Sequence, residues 1–232
     1  MTIQMYDLCG TDDTVRFSPY CWRTRMALKH KDLAFEALPW RFTEKATLEM
    51  SGQGRVPVIV DGEKVVSDSW AIALYLDETY PDRPTLMRDA SARAAAQTLQ
   101  GWTNTAIFRA LVPINAKRVH DIIGPEDQAY FRQTREAALK GRLEDICSDD
   151  ARADAMKLLG STLKVIEPTL TDHAFLGGDE PLYGDHIVFG TLMWPHAIDA
   201  SFAMDGDTAV ASWFDRMSGL YGDHARAHPR AA

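Results

Sequence analysis

Cysteine is scarce in this 232-residue chain: Cys9, Cys21 and Cys147 are the complete set. Three scattered thiols are too few for a disulfide framework and lack the paired spacing of a zinc site, so they read as reduced thiols. Among His30, His120, His186 and His196 no pair has the i, i+4 spacing of a helical metal site, and no metal is expected. Basic residues are outnumbered, 25 against 33 acidic, and no local basic patch relieves the formal charge of −8. Such a surface repels a phosphate backbone, which argues against a nucleic-acid partner. The opening MTIQMYDL has neither a basic leader nor a long apolar core, and no apolar run approaches the roughly 20 residues of a membrane helix. A cytoplasmic protein without a membrane partner is expected. Internal repeats are missing too, although ARAAAQ is locally rich in alanine.

What is present is ordinary globular material, 46% hydrophobic and 25% charged, at a length that allows one large domain or two small ones. The texture changes near residue 81. Before it, Ile3 to Leu8 reads as a strand, Pro19 to Lys31 as a helix and Phe35 to Leu38 as a strand. A polar stretch from Arg41 to Arg55 comes next. VPVIVDGEKVVSDS then holds two apolar runs around Asp61-Gly62, a hairpin signal, and a helix follows from about Ser69 to Tyr80. A β-α-β unit favours a parallel pair and a hairpin an antiparallel one, so the sheet should be mixed, in a thioredoxin-like order of elements. Tyr80 to Pro84 ends that helix and reads as a linker. Beyond it the period is helical: Ser91 to Arg109, Pro125 to Ile146, Ala151 to Ile166, Asp185 to Ala200 with a bend at Pro195, and Ala209 to Leu220. Met156, Leu159, Leu163 and Ile166 share one face. The tail GDHARAHPRAA has little to bury and is expected to fray. The expected fold is therefore α/β plus all-α, with a thioredoxin-like domain over 1–81, a linker over 82–88 and a helical domain over 89–232.

The stretch FSPYCWRTR carries the first chemical signal. Pro19 suits the first helical position, which makes Ser18 the N-cap. That hydroxyl either simply caps the helix or joins the free amides of the first turn in facing an anion. Cys21, three residues on, gives the segment the look of a Cys-x-x-Cys pair whose first member is serine. Dithiol exchange within the motif is then unavailable, and Cys21 reads as a packed thiol.

FSPY, RVPVIVDG and SDSWAIALYLDETYP, followed by a helical half, resemble in kind and order the cytosolic glutathione transferases. More narrowly, SPYCWRTRMALKHK and RVPVIVDGEKVVSDSWAIALYLDETYPDRP resemble the bacterial glutathione-dependent β-aryl etherases and their fungal FuA relatives. The likeness is specific over residues 15–84; in the helical half it rests mainly on FLGGDEPLYGD.

The resemblance implies roles for individual residues. Val56, before a cis Pro57, would pair its backbone with the cysteinyl part of glutathione; without the family the base rate favours trans. Asp68 and Ser69 would hold the γ-glutamyl end. Arg41, Lys45 and Arg55 are open candidates for the glycine carboxylate. Ser18 would donate to the glutathione sulfur, since serine is too weak an acid to act as a base. Lowering a thiol from about 8.5 by roughly two units takes about 2.7 kcal/mol. A hydrogen bond to a charged group supplies about 1.5–3 kcal/mol and a helix N-terminus about 0.3–1, so the two together suffice.

Phe17, Tyr20, Trp102, Phe108 and Val112 are candidates for the electrophile site, although a core face would give the same pattern for the last three. Trp22, Trp70, Trp194 and Trp213 read as core, and Arg23 and Arg25 either cover a dimer surface or are solvated. At the start of a later helix Asp185 is present, but Leu182 stands where the family has a capping serine or threonine, which costs about 0.5–2 kcal/mol. The loop from Cys9 to Phe17 brings Asp12 and Asp13 toward the sulfur site, where they could exclude anionic substrates.

The implied protein is a homodimeric glutathione transferase acting on an aromatic electrophile, with β-aryl ether cleavage as a narrower option. The alternative is a glutathione-dependent carrier of apolar aromatic compounds without turnover.

Overall fold

In the computed structural model, which describes residues 2–204 and 206–231, β1 (Ile3–Leu8) leads through α1 (Pro19–His30) to a parallel partner, β2 (Phe35–Trp40). β3 (Val58–Asp61) lies antiparallel to β1 and turns into β4 (Lys64–Ser67), giving the order β2-β1-β3-β4. The four-stranded sheet is mixed, as the motif order requires, and α2 (Ser69–Thr79) follows it. The hairpin register pairs Asp61 with Lys64, so the turn residues are Gly62 and Glu63. Gly62 takes a φ of 61° there, which a residue without Cβ adopts freely. The polar stretch after β2 contains a 3₁₀ turn over Lys45–Ser51.

The second half is helical throughout. α3 (Ala90–Trp102) passes through a π turn over Thr103–Ile107 into α4 (Phe108–Ile122). The helical run thus continues well past the expected end at Arg109, with Pro113 carried inside it. α5 (Pro125–Leu139) stops where Lys140 takes a left-handed φ of 57°, and α6 (Leu143–Ile146) is a separate turn rather than its continuation. Arg132 closes that corner by bridging Glu136 at 2.7 Å and Glu144 at 2.8 Å. α7 (Asp149–Leu163) buries Leu159 and Leu163 on the expected face, capped by Ser148. A short α8 (Glu167–Asp172), not expected from the sequence, begins with Pro168 in its first turn. α9 (Tyr183–Ile198), α10 (Ala209–Ser218) and α11 (Leu220–Asp223) complete the domain.

α9 is buried around nearly its whole circumference and packs along α1. α1 is therefore covered by the sheet on one side and by α9 on the other, which corrects the solvated or dimer-surface reading of its two arginines. Arg25 is buried, with its Nε 2.5 Å from Asp7 Oδ2 and its guanidinium over Trp22. Arg23 is fully buried, donating to Thr191 at 3.0 Å and Asn104 at 3.3 Å, with its guanidinium over the Tyr20 ring. Trp22 and Trp213 are core residues as expected, while Trp70 and Trp194 are half-buried.

Through Ala231 the tail is held in place rather than frayed. Arg230 donates to the carbonyls of His196, Asp199 and Phe202, and Ala231 N–H donates to Ala197 O at 2.8 Å. His224 and His228 stand four apart, a spacing the other histidines lack, but they are used for packing: both rings lie against Trp22. Among the described residues no group of three or more His, Cys, Asp or Glu could hold a metal ion, and no helix is long and apolar enough to cross a membrane.

Candidate functional site

A cleft of about 730 Å³ opens between the sheet domain and the helices α4, α5 and α9. Ser18 sits in its wall, only 5% exposed, in the extended conformation of a cap with Pro19 following in the first helical turn. Its Oγ accepts the Cys21 N–H at 3.3 Å. The hydroxyl also interacts with the Cys21 thiol, and because a hydroxyl accepts and donates together it can turn its proton toward a ligand in the cleft. The capping and ligand-facing readings are therefore compatible: the oxygen satisfies an orphan amide while the hydroxyl lines the cleft.

Cys21 is fully buried in the core. Burial and then the Asp7 carboxylate push its thiol well above the ordinary value, so it is a packed, protonated group.

Val56 lines the cleft, and the Val56–Pro57 peptide is cis. Asp68 and Ser69 open α2. Asp68 adopts a φ of 76°, a costly backbone for a residue with a Cβ, and its carboxylate accepts from the N–H groups of Trp70 and Ala71 at 2.9 and 3.1 Å. Ser69 is buried, and its carbonyl accepts the Tyr183 hydroxyl at 2.5 Å, which ties this corner to α9. Of the three cationic candidates, Lys45 and Arg55 line the cleft. Arg41 does not; it faces Glu44 at 3.7 Å.

Aromatic rings form both walls. Tyr20 stacks on Phe108 at 5.6 Å, and Phe108 lies 5.6 Å from Trp194. On the opposite side Phe17, Phe131 and Tyr130 surround Phe42 at centroid distances of 6.4, 5.5 and 6.4 Å. Phe17, Tyr20, Phe108 and Val112 are thus cleft residues, whereas Trp102 does not line the cleft and packs against a buried cluster that includes Ile107, Leu111, Phe189 and Trp213. The π turn over Thr103–Ile107 lies between Trp102 and Phe108, which at six positions apart would point about 120° from each other even on a regular helix. Asp12 and Asp13 do not line the cleft. Their loop is drawn away by Thr11 N–H, which donates to Ile122 O at 2.8 Å, and by Arg16 N–H, which donates to His228 Nε2 at 3.0 Å.

Sequence reasoning missed Trp40, Phe42, Tyr130, Phe131, Arg135 and Trp194, all of which line the cleft. Phe131 and Arg135 are four apart on α5, a spacing that places them on one face and was available as a signal. Nothing local marks Trp194, which depends on the packing of α9.

A thioredoxin-like sheet domain joined to a helical domain, with a serine at a helix N-terminus in the cleft between them, defines the class. A family model of the glutathione S-transferase N-terminal domain matches residues 14–84, and one of the glutathione S-transferase C-terminal domain matches residues 94–216. The chain belongs to the glutathione S-transferase family. It is similar to a glutathione S-transferase of Ceriporiopsis subvermispora solved in complex with glutathione, with 27% identity and a TM-score of 0.83 over 95% of this chain and 96% of that one. It is likewise similar to GSTFuA3 of Phanerochaete chrysosporium, with 26% identity and a TM-score of 0.84 over 94% and 96% of the two chains. Among curated relatives, glutathione S-transferase Z1 of Arabidopsis thaliana is 40% identical over 77 residues, 31% of this chain and 35% of the relative. The chain thus matches only about a third of that relative's length.

Proposed function

We propose that this protein transfers glutathione to an aromatic electrophile, with Ser18 steadying the thiolate. The observation that carries the reading is the Ser18 hydroxyl, which accepts the Cys21 N–H as a cap and stands in the wall of an aromatic cleft. Glutathione would lie along the sheet side, its γ-glutamyl end at Asp68 and Ser69, its cysteinyl backbone at Val56 and its glycine carboxylate at Lys45 or Arg55. Donation from Ser18, assisted by the N-terminus of α1, favours the thiolate over the thiol, and the sulfur then attacks an electrophilic carbon held between the rings.

The narrower reading is β-aryl ether cleavage, in which the sulfur bonds to the carbon carrying the aryloxy group and that group departs as a phenolate. The stacked pair of Tyr20 and Phe108 supports an aromatic second substrate. By resemblance the protein works as a homodimer in the cytoplasm, and sedimentation of the purified protein checks the first part.

The deciding experiment follows the ultraviolet absorbance of bound glutathione thiolate against pH in the wild type and in Ser18→Ala. The variant should need a pH higher by about one to two units for the same ionisation. Equal ionisation in the two proteins reduces Ser18 to a cap. In parallel, a panel of electrophiles including a β-aryl ether ketone separates conjugation or phenol release from saturable binding without product, the outcome that marks a carrier.

A further inference from the structure

The chain carries a formal charge of −8, yet among the described residues no Asp or Glu lines the cleft, while Lys45, Arg55 and Arg135 do. None of the three forms a salt bridge among the described residues. With Lys45 or Arg55 meeting the glycine carboxylate in the reading above, Arg135 is left without an assigned partner. It comes from α5, on the helical side, and its guanidinium lies over the Phe131 ring at 4.9 Å and the Phe42 ring at 5.7 Å. Its side-chain hydrogen bond runs to its neighbour Thr134, at 3.1 Å. Burial and the nearby Arg55 charge both lower its pKa, so the site is short of negative charge. A half-buried cation without a counter-ion is costly to keep, and such groups concentrate where a ligand completes the pair.

We propose that Arg135 binds a carboxylate, or an anionic group of similar size, on the second substrate, so that the electrophile is an aromatic acid. This rests on the glutathione-transfer reading above. Glutathione presents one glycine carboxylate, which Lys45 or Arg55 can meet from the sheet side. Arg135 faces the same cleft from the helical side, where Phe42 and Phe131 flank it with aromatic surface. The ring of the substrate would lie on these faces while its acid group takes the guanidinium, whose fork suits a carboxylate. The expectation that Asp12 and Asp13 repel anions is replaced by the opposite preference.

The test uses a matched pair, 4-chloro-3-nitrobenzoate and 4-chloro-3-nitrobenzamide, with glutathione and the full-length protein. In both, the thiolate sulfur bonds to the ring carbon bearing chlorine, the C–Cl electron pair leaves as chloride, and the thiol proton goes to solvent. The readout is the acid-to-amide ratio of kcat/KM, which Arg135→Gln should lower on the order of tenfold and Arg135→Lys by less. A ratio unchanged in Arg135→Gln overturns the proposal. So does a rise in the KM for glutathione that is equal with both electrophiles, since Arg135 would then serve the glycine carboxylate. Should neither compound turn over in the wild type, transfer to these electrophiles fails, and calorimetric binding of the two aromatic compounds in the presence of glutathione still decides the matter. Tighter binding of the acid that is lost in Arg135→Gln sustains the role of Arg135, and equal binding of acid and amide overturns it.

Discussion

The imidazole of His228 accepts the backbone N–H of Arg16 at 3.0 Å, across 212 positions of sequence. Arg16 lies two residues before Ser18, and its carbonyl in turn accepts the Trp22 indole N–H at 2.9 Å, while the Trp22 ring meets His228 edge-on at 4.9 Å. The end of the chain is thus fastened to the segment that delivers Ser18.

This fastening should be sensitive to acid. His228 can accept only when Nε2 is unprotonated. Burial first, then the charges of Arg25, His224 and Arg16, bring its pKa down to about 3, and burial brings His224 to about 4. Both lie below the roughly 6.5 of an unfolded histidine, so the unfolded chain takes up protons first as pH falls. The stabilisation is complete above about pH 6.5 and is lost progressively toward pH 3. His228→Phe keeps a ring against Trp22 but strands the Arg16 N–H, at a cost of about 1–2 kcal/mol at pH 7. Urea denaturation at pH 7, 5 and 4 should show the gap between wild type and variant narrowing with acid. A gap that stays constant would mean that His228 does not titrate with unfolding.

Much of the sheet domain was legible because its signals are local. Pro19 after Ser18 marks a capped helix start, the valine-rich runs around Gly62 mark a hairpin, and both stand in the structure. The π turn over Thr103–Ile107, which carries the helical run from Trp102 to Phe108, has no comparable signature in the sequence. Arg23 and Arg25 were misplaced for another reason. A helix covered on both sides loses the polar face by which solvent exposure is read from sequence, and α1 buries nine of its twelve residues, both arginines included. The tail looked unsupported because its partners, Ala197, Asp199 and Arg16, lie far away in sequence.

Gly190 makes the contact between α1 and α9 possible. A Cβ built there would come within 2.8 Å of Arg23 N and 2.9 Å of Pro19 O, both main-chain atoms that cannot rotate aside. Gly190→Ala must therefore push α1 as a body, and Pro19 adjoins Ser18. The expected cost is about 1–3 kcal/mol of stability, with weaker glutathione binding as the helix start moves. Denaturation and calorimetric titration of glutathione on the same preparation measure the two effects. Undiminished stability would show that α9 yields instead of α1.

Asp185 answers the question left by Leu182. A leucine side chain offers no acceptor, so the reciprocal half of a capping box is missing, yet α9 begins firmly. The carboxylate of Asp185 accepts four N–H groups: Leu176 at 2.7 Å and Trp213 Nε1 at 2.9 Å on Oδ1, Gly177 and Leu182 at 3.0 Å each on Oδ2. It therefore closes the helix start, the turn before it and α10 onto one buried group, a wider task than capping alone. Asp185→Asn preserves size but sets an amide NH2 against two of those donors, which should cost about 2–4 kcal/mol. Asp185→Glu keeps the charge but not the reach, and should fall no less far. Thermal unfolding of the two variants tests this: if the asparagine variant melts with the wild type, the four-donor carboxylate is not what holds α9 in place.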